Sequence, residues 1–156
     1  MGYPRMNHVA LSIPPEDLSE ESIKELLDFY GDVFGWEEMP TQTEPGKLLV
    51  MKVHTFTQFV YLHAETKKPS IAHPRDHVGF QVDTAEEYDG VLARAKARRE
   101  LDGGTTEIIG PMEEDYGPLV LKSYYVRHRL PIMFEIQYFM YKDPKTADAI
   151  KQAMSA

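Results

Sequence analysis

The chain has 156 residues, of which 42% are hydrophobic and 27% charged, with a formal net charge of −8 and no cysteine. Such a length and balance specify one globular domain with a real core. The acidic surface offers nothing to nucleic acid or an anionic membrane, the missing thiols exclude disulfides, Cys nucleophiles and thiolate metal sites, and no apolar run approaches the ~18 residues of a membrane span.

In chain order, residues 6–13 read as a strand. Asp17 then opens a helix, with Glu20 three residues on as a capping box. Ile23, Leu26, Leu27, Tyr30, Val33 and Phe34 form its apolar stripe, and Gly35 ends it. Three strands follow at 36–41, 48–53 and 58–63, broken by Pro45-Gly46 and a polar turn. After a proline-bounded linker the same order begins again. Residues 77–82 make a strand, and Thr84 with Glu87 forms a second capping box. Tyr88, Val91, Leu92 and Ala95 are the stripe of the helix that it starts. Gly103-Gly104 breaks the chain, strands run over 106–109, 119–126 and 132–138, and a short helix closes it at 144–154. The chain is thus an α+β protein of two βαβββ modules, at about 6–65 and 75–141, in a single domain over 1–156. The expected architecture is a curved mixed sheet around a central cavity, with the helices outside.

The step Asn7-His8-Val9 returns as Asp76-His77-Val78, each opening the first strand of its module. Strand alternation puts His8, Ala10 and Ser12 on one face and Val9, Leu11 and Ile13 on the other. His77, Gly79 and Gln81 repeat that pattern against Val78, Phe80 and Val82. In the last strand Glu135 stands between Phe134 and Ile136, and Met133 and Gln137 share its face. A carboxylate buried without a partner is costly. Two imidazoles and one carboxylate on equivalent polar faces therefore read as a divalent metal site of N and O ligands, His8, His77 and Glu135. His54, His73 and His128 lie near turns or strand ends and read as solvated surface residues.

The duplicated βαβββ order, with His opening the first and fifth strands and Glu in the eighth, resembles the vicinal-oxygen-chelate superfamily. That superfamily includes glyoxalases, bleomycin-resistance proteins and extradiol dioxygenases. The resemblance implies that His8, His77 and Glu135 bind a divalent ion, with Fe, Mn, Zn and Ni all open. It further implies a small oxygen-bearing substrate chelated through neighbouring oxygens, in a dioxygenase, lyase or isomerase. Glyoxalase I itself uses a fourth ligand, Glu or Gln, in the fourth strand. Tyr61 falls at or near that place, which argues against that activity, and His63, two residues on, shares the face of Tyr61. Tyr61 and His63 are the candidate proton-transfer residues. The extradiol signature is matched at Tyr125, Pro131 and Glu135 and fails at His128 and Arg129. The alternative reading is a metal-free protein that sequesters a small molecule in the same groove. No nucleic-acid or membrane partner is expected. A homodimer is compatible with the resemblance. The cysteine-free, acidic chain, with no signal-like start, is expected in the cytoplasm.

Overall fold

The computed structural model describes residues 4–154. They form two compact units, one of residues 4–73 with 128–131, the other of 74–127 with 132–154. Each unit contains a four-stranded mixed sheet, and neither sheet is closed.

The first unit runs β1 (His8–Ile13), a 3-10 turn (Pro15–Leu18), α1 (Glu20–Phe34), β2 (Glu37–Glu38), β3 (Leu48–Lys52) and β4 (Phe59–Ala64). Its strand order is β1-β4-β3-β2, with β1 and β4 parallel and the other pairs antiparallel. Leu11 and Ile13 of β1 and Val60 and Leu62 of β4 are buried, as are Ile23, Leu26, Phe29, Tyr30 and Val33 of α1. Alternation in the strands and the 3.6-residue period in the helix give each of these elements one apolar side.

The start of α1 differs from the sequence expectation. Its cap is Ser19, whose side chain accepts from the Ser22 N–H, and not Asp17. Pro15 starts a 3-10 turn that buries Leu18 and places Asp17 ahead of the helix. Ser19→Ala is expected to cost ~1 kcal/mol of stability and Asp17→Ala a few tenths at most, read by urea denaturation. At the other end Gly35 adopts φ 72, a left-handed C-cap that disfavours any other residue. The strand expected over 36–41 shrinks to Glu37–Glu38. Trp36 stacks instead on Tyr30, with ring centroids 4.9 Å apart, and the amides of Gln42 and Thr43 both close onto the Met39 carbonyl.

The second unit runs β5 (His77–Val82), α2 (Ala85–Leu101), β6 (Glu107–Asp115), β7 (Leu119–Arg127), β8 (Met133–Tyr141) and α3 (Pro144–Met154). Its strand order, β5-β8-β7-β6, is that of the first unit shifted by four, again with the outer first pair parallel. The Thr84–Glu87 capping box is present, and Tyr88, Val91, Leu92 and Ala95 are the buried residues of α2. Strand β6 runs well past Ile109. The register shift between Ile109 and Met112 absorbs Gly110 and Pro111, which would end a regular strand.

Two buried groups refine the packing. His128, expected at the surface, is 2% exposed. Its ring stacks on Phe29 at 4.1 Å, its carbonyl accepts from the Tyr30 hydroxyl at 2.9 Å, and the Glu25 carboxylate lies 3.5 Å from Nε2. Tyr88 is also buried, and its hydroxyl meets no hydrogen-bond partner among the described residues. Burial first, then the charges of Asp89 and Glu113, push its pKa up to about 12. A raised phenol pKa contributes stability that is complete below about 10 and is lost as pH climbs through about 12. Tyr88→Phe removes the stranded hydroxyl. It is expected to melt at the same or a higher temperature at pH 7, by the equivalent of roughly 1 kcal/mol, and to lose less stability between pH 10 and 12. A clear loss at pH 7 in thermal melts would show that the hydroxyl is satisfied.

Candidate metal centre

Reading across the parallel strand pair of each sheet gives three corresponding rows. In the first unit His8 lies opposite Phe59, Ala10 opposite Tyr61 and Ser12 opposite His63. In the second, His77 lies opposite Met133, Gly79 opposite Glu135 and Gln81 opposite Gln137. A histidine therefore opens the first row of both units. The second row is filled by Tyr61 in one and Glu135 in the other, so the pseudo-symmetric partner of Glu135 is Tyr61 and not His63.

The second unit brings two of the expected ligands together. His77 Nε2 is 3.3 Å from Glu135 Oε2, with Glu135 almost wholly buried and the His77 side chain 39% exposed. On the far side of the ring, His77 Nδ1 stands 2.9 Å from the Arg75 carbonyl. A carbonyl only accepts, so Nδ1 carries the hydrogen and donates it. In the neutral ring the Nε2 lone pair then faces a carboxylate oxygen, and two acceptors at that separation repel. A second proton on the ring or a cation beside the pair reconciles them. Metal-bound histidines characteristically donate their other ring N–H to a carbonyl or carboxylate in this way.

His8 has the same arrangement in the first unit. Its Nδ1 is 2.8 Å from Asn7 Oδ1, which leaves Nε2 as the nitrogen for a further bond, and the ring stacks on Phe59 at 4.9 Å and 3°. The residues thus fit a divalent ion by their chemistry: two imidazoles poised at Nε2 and a carboxylate, with no soft ligand to select copper(I) or a cluster. Among the described residues no three His, Asp or Glu side chains gather at ligand spacing.

The other two expected site residues lie in the first unit. Tyr61 and His63 share a half-buried face of β4, with rings 6.1 Å apart. His63 Nε2 is 3.0 Å from the Ser12 hydroxyl across the strand pair. Around Glu135 the structure adds Gln137, to which the sequence reading gave no role, and Tyr125, which entered there only as a match to the extradiol signature. Gln137 donates its amide to Glu135 Oε2 at 2.8 Å. The Tyr125 hydroxyl donates to the same carboxylate, and burial followed by that bond pushes its pKa up to about 12. Both follow from alternation, since Gln137 lies two residues along the strand and Tyr125 pairs directly with Glu135.

The sequence profile of the Glyoxalase/Bleomycin resistance protein/Dioxygenase superfamily matches residues 5–117, and the chain belongs to that superfamily. No curated protein sequence matches it. Among solved structures it is similar to a glyoxalase/bleomycin resistance protein/dioxygenase family enzyme from Burkholderia phytofirmans. That match has 18% identity and a TM-score of 0.58, covering 86% of this chain and 98% of the other. It is also similar to the fosfomycin resistance protein FosX from Listeria monocytogenes. A Glu-to-Gln variant of FosX, complexed with Mn(II) and a dihydroxypropylphosphonic acid, matches at 16% identity and a TM-score of 0.59, covering 86% and 90% of the two chains. An integron cassette protein from Vibrio cholerae matches at 15% identity and a TM-score of 0.55, covering 88% and 97%. At these identities the likeness is one of fold. None of the helices among the described residues is long and apolar enough to cross a membrane.

Proposed function

We propose that this protein is a divalent-metal-dependent enzyme that acts on a small substrate bearing neighbouring oxygens, with His8, His77 and Glu135 as metal ligands. The observation that carries the reading is the His77–Glu135 pair: an imidazole locked by the Arg75 carbonyl so that its Nε2 faces a buried carboxylate oxygen at 3.3 Å. When bound, the ion supplies Lewis-acid stabilisation of negative charge developing on substrate oxygens. The protein's own groups do the rest. Glu135, almost wholly buried, is held in position by the Gln137 amide. His63, with Nε2 engaged by Ser12, and Tyr61 on the same face are the proton-transfer groups. Tyr125, with its pKa near 12, keeps its proton at neutral pH and serves as a donor. The acidic, cysteine-free composition fits a cytoplasmic enzyme.

Protein purified without chelators and analysed by plasma emission spectroscopy is expected to carry about one divalent ion per chain, and metal-free protein under the same conditions would overturn the reading. Isomerisation of the methylglyoxal–glutathione adduct is expected to be negligible even with added nickel or zinc, because the second row of the first unit holds Tyr61 in place of a carboxylate. An absorbance assay decides this. Turnover of ~1–1000 per second would show that a phenol, or another group, completes a glyoxalase site.

A further inference from the structure

The third row of the two sheets differs in an informative way. In the first unit His63 reaches across to Ser12, its partner on the neighbouring strand, at 3.0 Å. In the second unit the equivalent residue, Gln137, turns back along its own strand and gives its amide to Glu135 Oε2 at 2.8 Å. That oxygen is the one that faces His77 Nε2. A carboxylate only accepts, so it fixes the orientation of the Gln137 amide, with the NH2 inward and Oε1 outward. From the other side Tyr125, paired with Glu135 in the β7–β8 register, donates its hydroxyl to the carboxylate and sets its ring edge-on to His77 at 5.3 Å. The Glu135 and Gln137 side chains both lie close to Gly79, which faces Glu135 from β5. A Cβ there would stand 3.8 Å from Glu135 Oε2 and 3.9 Å from Gln137 Oε1.

We propose that Gln137 is a positioning residue for the metal centre: its amide holds the Glu135 carboxylate in the orientation that meets His77, and so sets the affinity for the ion. The inference rests on the metal reading above. A free glutamate side chain samples several rotamers and loses that freedom on binding an ion. A carboxylate already pinned by two donors has lost it at folding, and the ion meets a ready ligand. Outer-shell partners of this kind typically change metal affinity by ~10–100-fold. Tyr125 supports the carboxylate from the opposite side and is expected to act in the same sense.

The test is calorimetric titration of chelator-stripped protein with zinc alone, for the parent, Gln137→Met and Tyr125→Phe, beside apo thermal melts of each. Methionine keeps the length of the side chain and removes the donor. Gln137→Met is expected to weaken zinc binding by ~10–100-fold while the apo melting temperature stays close to that of the parent. The visible spectrum of cobalt(II)-loaded protein is expected to change as the carboxylate loosens. Placed on Glu135→Gln, the same substitution is expected to cost nothing more, since its effect runs through the carboxylate. If Gln137→Met fails to fold, Gln137→Asn, which keeps the amide but stops one methylene short, is expected to show the same weakening. Parent-like zinc affinity in the folded variants would overturn the proposal, as would a loss that only tracks a lowered apo melting temperature. A parent that binds no zinc, manganese or iron would instead overturn the metal reading, and this inference with it.

Discussion

Phe134→Ala will lower the stability of the protein by about 3–5 kcal/mol, the usual cost of emptying a fully buried phenylalanine site. Phe134 is completely buried. It pairs with Val78 on one side and Val126 on the other, and its ring lies 5.9 Å from that of Phe80. Truncation therefore loses apolar burial and leaves a cavity between a central strand and its neighbours, where β-sheet pairing limits collapse. For a chain of this length each kcal/mol moves the melting temperature by ~2–4 °C, so a drop of roughly 6–20 °C is expected. The variant that remains folded is nevertheless expected to bind metal like the parent, because Phe134 and Glu135 point to opposite faces of β8. A small thermal shift would show that the core can close over the gap.

Glu135→Gln is expected to do the reverse. Glutamine has the same shape and can still accept from Gln137, so the apo protein should melt near the parent temperature. The anionic ligand, however, is gone. Metal affinity is expected to fall by more than the ~10–100-fold that outer-shell losses cost. Metal that binds only the folded state stabilises it by mass action, by about 2.7 kcal/mol when the free ion is at a hundred times its dissociation constant. Under those conditions the parent's melting temperature should rise with added metal and that of Glu135→Gln should not. His77→Ala should behave like Glu135→Gln. An equal metal-induced rise in all three would place the ion on other residues.

The two expectations separate fold from site, and the same separation decided what could be read in the sequence. Helix α2 was fully legible because its signals are local: Thr84 and Glu87 fix its start, and four apolar residues at helical spacing define its buried side. The start of α1 is not legible locally because two polar residues compete for the cap, and the winner is decided by Pro15 and by the burial of Leu18 in the preceding turn. The full length of β6 is not legible because Gly110-Pro111 is a local stop signal, and a bulge that lets the ladder continue depends on the partner strand. His128, flanked by Arg127 and Arg129, looks solvated in sequence. Its burial comes from stacking on Phe29, almost a hundred residues away in the chain, a contact with no local signature.

At the candidate site, period-two alternation was enough to put His77 and Glu135 on the same face, and the internal repeat was enough to make His8 the equivalent of His77. Register needed the structure. It set Tyr61, and not His63, in the row that Glu135 occupies in the other half. Side-chain direction needed it too. Alternation shows that Gln137 shares a face with Glu135, but only the hydrogen bond shows that it turns back to hold the carboxylate.

Anomalous X-ray scattering from crystals of the protein loaded with zinc or manganese locates the ion directly. A single strong peak per chain is expected within coordination distance, ~2.0–2.2 Å, of both His77 Nε2 and Glu135, with His8 Nε2 as a further ligand. A peak on other residues, or fully loaded crystals with no peak beside His77 and Glu135, would contradict it.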